Sequence, residues 1–226
     1  MFTYSMSRFK LVCFDVDGTL IDSVTDDFEY SWELLHDHFA TDKDVREQVR
    51  KKFFSGAISY QEWADHDIGM WVTKGVKRSD FEAACKKLKL MAGARETLLE
   101  LKKAGFKLAI ISGSVDMLLA TLMPDYLEIF DDVFFSHLKF DGDTLTGAKV
   151  TQFDMIKKAD ALRKIASREG FELSECVHIG DHHNDVEIAK IAGMGIAFNC
   201  KDAELRRVAD VEIVKKDLRE VLGHIL

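Results

Sequence analysis

Residues Phe14-Asp15-Val16-Asp17-Gly18-Thr19-Leu20, directly after the apolar run Leu11-Val12-Cys13-Phe14, constrain this chain more than any other stretch. Four apolar residues followed by two carboxylates, a glycine and a hydroxyl describe a buried strand that stops abruptly and presents acids at its carboxyl end. In an open α/β sheet that end is where ligands bind. Asp15 and Asp17, separated only by Val16, repel each other if both are ionised and desolvated, so the site calls for a cation or a shared proton. The competing reading, a strand that ends in a solvated acidic turn, asks nothing of the rest of the chain.

The rest of the chain has two textures. From Asp22 to Ala92 it reads as helix after helix, with Phe28, Trp32, Leu35 and Phe39 on one face of the first and Val45, Val49 and Phe53 on one face of the second. Gln61–Val72 and Ser79–Leu90 complete the set, with Ser79 as the expected N-cap. No strand pattern interrupts them, and all three tryptophans (Trp32, Trp63, Trp71) fall here, most of them expected in a small helical core, with one or two lining a substrate pocket as the alternative.

After Gly93 helix and strand alternate. Strands are expected at 107–111, 133–135, 176–179, 195–198 and 211–214, with a hairpin over 138–145 that turns at Asp141-Gly142. Helices are expected at 95–104, 115–122, where Pro124 stops the chain, and at 157–168, 185–191, 203–208 and 218–226. Strands separated by helices imply an α/β fold, a parallel sheet wrapped on both faces, into which 22–92 is inserted. The expected division is therefore 1–21 with 93–226 as the core and 22–92 as an inserted helical domain.

At 226 residues, 47% hydrophobic and 31% charged, the chain can bury a sizeable core. Its net charge of −8 argues against non-specific nucleic-acid binding. Cys13, Cys85, Cys176 and Cys200 are widely spaced and suggest neither a disulfide framework nor a zinc ribbon. No apolar run is long enough to span a membrane and the amino terminus does not read as a secretion signal, so a cytoplasmic protein without a membrane partner is expected. Residues 1–7 read as a tail.

The strand ends carry the chemistry. The first ends in Asp15-Val16-Asp17, the second in Ser112-Gly113-Ser114, the fourth in Gly180-Asp181-His182-His183-Asn184-Asp185. Asp181 and Asp185 bring two more carboxylates toward the first pair, a set of hard oxygen ligands that suits Mg²⁺. A serine hydroxyl and the N–H groups after it suit a phosphate oxygen. A lysine would neutralise further phosphate charge, and the residues alone leave Lys158, Lys157 and Lys149 open for that place.

In these four places the chain resembles the haloacid dehalogenase-like superfamily of phosphohydrolases. Asp15-Val16-Asp17-Gly18-Thr19-Leu20 matches the first motif, Ser112 the second, Lys158 in Lys158-Ala-Asp-Ala-Leu162 the third, and Gly180-Asp181 with Asp185 the fourth. Four motifs in order are far more specific than any one. The insert between the first two looks like the helical cap of the subgroup that includes phosphoserine phosphatase. The resemblance implies a Rossmann-like parallel sheet core wrapped by helices with an all-helical cap, and Mg²⁺-dependent hydrolysis of a small-molecule phosphomonoester through an aspartyl-phosphate. In it Asp15 is the nucleophile, Asp17 the acid and base, and Ser112, Gly113 and Lys158 hold the phosphoryl oxygens. Asp15, the Asp17 carbonyl and Asp181 hold the metal, with Asp185 supporting its water shell.

The chain also departs from that subgroup. Val24 stands where a glutamate usually receives the substrate ammonium, and Asp65 falls near the place of an arginine that holds the substrate carboxylate. Asp26, Asp27 or Glu29 could replace the first and Arg46 or Arg50 the second. The expectation is a phosphatase of that lineage with altered cap residues and another substrate, with Thr19, Asp22, Asp26, Asn184 and His182 as further pocket candidates. The alternatives are a true phosphoserine phosphatase, a phosphotransferase that passes the phosphoryl group to an alcohol and, more remotely, a receiver-like phospho-aspartate domain. His182 and His183 replace the usual glycine region and are expected to flank the pocket, one facing solvent, rather than to bind metal.

Overall fold

The computed structural model describes residues 7–25 and 30–226. In chain order these form β1 (Leu11–Phe14), β2 (Ile21–Ser23), α1 (Ser31–His38), α2 (Lys43–Phe54), α3 (Tyr60–Thr73), α4 (Arg78–Cys85) and β3 (Leu88–Leu90). Then come α5 (Ala94–Lys103), β4 (Lys107–Val115), α6 (Asp116–Leu122), α7 (Tyr126–Ile129), β5 (Asp132–Asp141) and β6 (Thr144–Lys149). The chain closes with α8 (Lys158–Glu169), β7 (Cys176–Gly180), α9 (Val186–Ile191), β8 (Met194–Phe198), α10 (Ala203–Val208), β9 (Val211–Ile213) and α11 (Leu222–Ile225).

Seven strands form one sheet in the order β6-β5-β4-β1-β7-β8-β9, parallel throughout except for β6, which runs back along β5 from the expected turn at Asp141 and Gly142. Every side chain of β1 is buried. Val12 and Phe14 point into the apolar cluster on one face, with Leu98, Leu101 and Ile110. Leu11 and Cys13 point into the other, with Leu162 and Ile165 of α8. That period-two split, hydrophobic on both sides, is why helices must cover both faces. Because β1 sits between β4 and β7, the carboxyl ends of the three strands expected to carry the chemistry are neighbours.

Segment 22–92 is not all helical. Helix α4 ends at Cys85 rather than at residue 90, and Leu88–Leu90 pairs antiparallel with Ile21–Ser23 as a two-stranded neck where the chain leaves and re-enters the sheet. Three-residue strands offer too short an alternation to register as a period. The start of α4 differs too: it begins at Arg78, and Asp80 rather than Ser79 does the capping, by accepting the backbone N–H of Lys77 at 2.8 Å. In α2 only Val49 of the expected stripe is buried, while Val45 is exposed. Phe28 lies outside the described residues. The larger apolar cluster runs without a break from the sheet into this segment through Leu34, Leu35, Phe39, Trp71 and Phe81, and Phe81 meets Phe140 of β5 edge-on with ring centroids 6.0 Å apart.

Candidate active site

Asp15 follows the last residue of β1, and its position is held by two bonds. Its N–H donates to the Ile179 carbonyl of β7 at 2.9 Å, and its Oδ1 accepts the N–H of Val16 at 2.7 Å. Lys158, the first residue of α8 and 1% exposed, places its Nζ 2.9 Å from Asp15 Oδ2 and 2.8 Å from Asp185 Oδ1. Its rivals Lys149 and Lys157 are exposed. Burial opposes the Lys158 charge, but Asp15, Asp185 and Asp154 outweigh it and raise its pKa, so it stays an ammonium.

Asp15, Asp181 and Asp185 are all buried, and one carboxylate oxygen from each lies within 4.8 Å of the others. Asp185 is saturated: Oδ1 accepts from Lys158 and His178 Nε2, and Oδ2 accepts from the N–H groups of Asp181 and His182. It therefore anchors the β7 loop, in keeping with a supporting place, and leaves Asp15 and Asp181 to face the space between them. Burial pushes Asp15 up to about 7 against the pull of Lys158, and raises Asp181 well above the ordinary range against Lys201, whose Nζ is 3.0 Å from Asp181 Oδ2. Two buried acids that resist ionisation beside only two lysines fit a divalent cation, which would hold both in the charged form.

The Asp17 carboxylate turns away from that group. Its Oδ2 accepts the N–H of Ser31 at 3.0 Å and the Ser31 hydroxyl at 2.7 Å, at the start of α1. Burial raises its pKa, against the Ser31 bonds that lower it, which favours a proton on Asp17. Its carboxylate is not part of the Asp15, Asp181 and Asp185 group. Ser112, Gly113 and Ser114 form the irregular end of β4, where the register with β5 slips between Ile111 and Val115 and the Ser114 N–H bonds the Ser112 hydroxyl at 3.2 Å.

Three glycines of the site are required by contact. A Cβ on Gly18 (φ +71°) would lie 2.0 Å from Asp181 Oδ2, one on Gly113 2.0 Å from the Asp154 carboxyl carbon, and one on Gly180 2.2 Å from that of Asp185. Gly18 and Gly113 sit in motifs already singled out in the sequence; the carboxylates they accommodate give the reason.

A cavity of about 250 Å³ opens over these residues, lined at its base by Asp15, Asp17, Ser112, Gly113 and Asp181. Asn184, His182, Arg46 and Arg50 line it as well, whereas His183 stands 63% exposed beside Asp202. Neither histidine belongs to the carboxylate group among the described residues. Two pocket candidates do not reach the cavity. Thr19 is fully buried beneath the turn, its N–H on the Val16 carbonyl, and Asp22 lies in the neck between Lys89 and Lys216. Val24 is exposed and Asp65 is bonded to Gln61, neither lining the cavity. Asp26, Asp27 and Glu29 lie outside the described residues. Of the tryptophans, Trp71 is core, but Trp32 and Trp63 line the cavity, more than the helical-core reading allowed.

Several residues of the site carry no motif. Ser31 and Trp32 tie α1 to the core, Trp32 through its Nε1 on the Gly113 carbonyl at 3.2 Å. Asp154 accepts from the Tyr60 hydroxyl of α3 at 2.6 Å and from Asn184 Nδ2 at 3.0 Å. Lys201 follows β8, and a cation just past the strand beside β7 is the one of these that a search of strand ends would find.

The haloacid dehalogenase-like hydrolase family model matches residues 9–193. A phosphoserine phosphatase of Methanocaldococcus jannaschii is 32% identical over 96% of this chain and 97% of its own length. One from Archaeoglobus fulgidus is 32% identical over 92% of this chain, which spans only 58% of that longer protein. Among solved structures, a phosphoserine phosphatase held as a phospho-aspartyl intermediate analogue superposes with a TM-score of 0.74 at 28% identity, covering 96% of this chain and 99% of the other. The chain belongs to the haloacid dehalogenase-like hydrolases and is a phosphoric monoester hydrolase similar to the phosphoserine phosphatases.

Proposed function

We propose that this protein is a Mg²⁺-dependent phosphatase that hydrolyses a small phosphomonoester other than phosphoserine through an aspartyl-phosphate on Asp15, with segment 22–92 as the cap over the site. The observation that carries the reading is the grouping of Asp15, Lys158 and Asp181 at the base of a cavity whose upper wall comes from that segment. Asp15, Asp181 and the Asp17 carbonyl would hold the Mg²⁺, which when bound keeps the acids ionised and shields phosphate charge from them.

Asp15 Oδ attacks phosphorus; the new P–O bond forms as the ester P–O bond breaks, and Asp17 gives its proton to the departing alcohol. Burial, which raises the Asp17 pKa, favours the protonated form that this step uses. Water then enters, loses a proton to Asp17 and attacks phosphorus; the Asp15–phosphorus bond breaks, and phosphate leaves with Asp15 restored. Through both steps Lys158 and the Ser112 and Gly113 loop face the non-bridging oxygens, where charge is spread in the transition state.

The departure from phosphoserine rests on Val24 and Asp65, which offer the cavity neither a carboxylate for an ammonium nor an arginine for a carboxylate. Arg46 and Arg50 do line it, but Arg46 faces Asp67 at 3.7 Å and Arg50 is bonded to Glu47, so their charge is already met within the protein. The test is phosphate release from a phosphomonoester panel with Mg²⁺, with chelator and with Asp15→Asn. Turnover that needs metal and Asp15 supports the reading; selective, efficient turnover of phosphoserine overturns the substrate assignment. Transfer to added alcohols in preference to water would make the protein a phosphotransferase, and a persistent phospho-Asp15 without turnover would make it a signalling domain.

A further inference from the structure

The alcohol half of the substrate has a wall of aromatic rings to meet. Besides Asp15 and Ser112 the cavity is lined by Trp32, Phe54, Tyr60 and Trp63, and Phe54 stands 59% exposed. Trp63 is the hub, with its ring 6.0 Å from that of Phe54 and 6.3 Å from that of Tyr60. The volume of about 250 Å³ exceeds the roughly 150 Å³ in which an apolar cavity takes up a benzene ring. Four buried polar atoms of lining residues have no hydrogen-bond partner among the described residues: Arg46 Nε and Asp67 Oδ1, whose side chains face each other as an ion pair at 3.7 Å, and the Trp63 Nε1 donor and the Asn184 Oδ1 acceptor. The Asn184 amide is oriented by its Nδ2 bond to Asp154 at 3.0 Å, which leaves the oxygen as the open end. Buried groups left unmet in the free protein are met by a ligand that can both accept and donate.

Resting on the phosphatase reading above, we infer that the leaving alcohol is a short arm, of hydroxymethyl type, on a single flat heteroaromatic ring. The ring lies against Trp63 and Phe54, where aromatic faces and edges prefer each other over saturated carbon. Its heteroatoms meet Trp63 Nε1–H and Asn184 Oδ1. An aliphatic amino-acid alcohol could meet the two polar atoms with its carboxylate and ammonium but would leave the rings facing water.

The experiment compares benzyl phosphate, its saturated match cyclohexylmethyl phosphate and pyridylmethyl phosphate; because their alcohols differ in acidity, the deciding order is that of equilibrium binding, in which no bond to the leaving group breaks. KM for benzyl phosphate should be about five-fold below that of the saturated ester, with the pyridylmethyl esters lower still. Trp63→Leu should bring the benzyl-to-cyclohexylmethyl ratio to about one, and Trp63→Phe should restore it without restoring the pyridyl advantage. The same ranking should hold for equilibrium binding of the esters to Asp15→Asn, followed by calorimetry. Equal affinity for ring and saturated esters there overturns the inference, even if the wild type hydrolyses both and so upholds the phosphatase reading. Absence of any metal- and Asp15-dependent phosphate release overturns that reading itself.

Discussion

Replacing Lys158 by methionine tests the electrostatic frame of the site. The side chain is 1% exposed and its ammonium bridges Asp15 and Asp185 at 2.9 and 2.8 Å, so removing it leaves two buried carboxyls without their shared cation. Breaking a buried ion pair from one side costs about 3–5 kcal/mol when the remaining charge stays ionised. Here the remaining acids can take up a proton instead. Burial already pushes Asp15 up to about 7 with Lys158 present; loss of the lysine raises it further and removes much of the pull that holds Asp185 below the ordinary carboxylate range. The folded variant then holds more protons than the folded wild type, while the unfolded chains do not differ at these carboxyls, so the variant loses stability relative to wild type as pH rises. Urea unfolding of the metal-free proteins should show a small difference near pH 5.5 and nearly the full cost near pH 8. Phosphate release should fall about 10²–10³-fold, the loss expected for one donor facing charge that develops in the transition state. Equal destabilisation at both pH values, or a rate within a few-fold of wild type, would refute this account of Lys158.

Asp15→Asn should flatten the pH dependence of stability in the metal-free protein. The folded wild type keeps the Asp15 proton up to about 7 while the unfolded chain releases it near the ordinary carboxylate value of 3.8, so wild-type stability falls across that window, by as much as a few kcal/mol, and the variant should not share the fall. Denaturation midpoints from acid to neutral pH check this. Gly18→Ala should weaken Mg²⁺ binding about ten-fold or more, because its Cβ would displace the Asp181 carboxylate at a backbone φ of +71°; titration calorimetry that finds wild-type affinity would contradict it. Trp71→Ala, at a fully buried site, should cost about 3–5 kcal/mol. Because its apolar cluster is continuous with that of the sheet, unfolding should remain a single transition, and a separate early melting of 22–92 would count against that continuity.

The amino-acid order alone determined the α/β class, the strand at 11–14 and the reaction group, for a local reason. An apolar run that ends in Asp15-Val16-Asp17, a serine after the next long strand and an acid-rich turn after Ile179 are each written in consecutive residues. What joined them is the strand order, since β1 lies between β4 and β7, and no local pattern states which strands are neighbours. The family resemblance prefers Lys158 to Lys149 and Lys157, and only the tertiary structure seated it on Asp15, turned the Asp17 carboxylate toward Ser31, and brought Lys201 to Asp181, because each is a contact between residues distant in sequence. The neck strands stayed illegible because three residues hold too little alternation, and Thr19 and Asp22 failed as pocket residues because a turn and a strand pairing carry them away from the cavity. The substrate wall is the clearest case. Most of the tryptophans are expected in a helical core and Phe54 carries no expectation, and it is the packing of α2 against α3 that puts the Trp63 and Phe54 rings on the cavity wall.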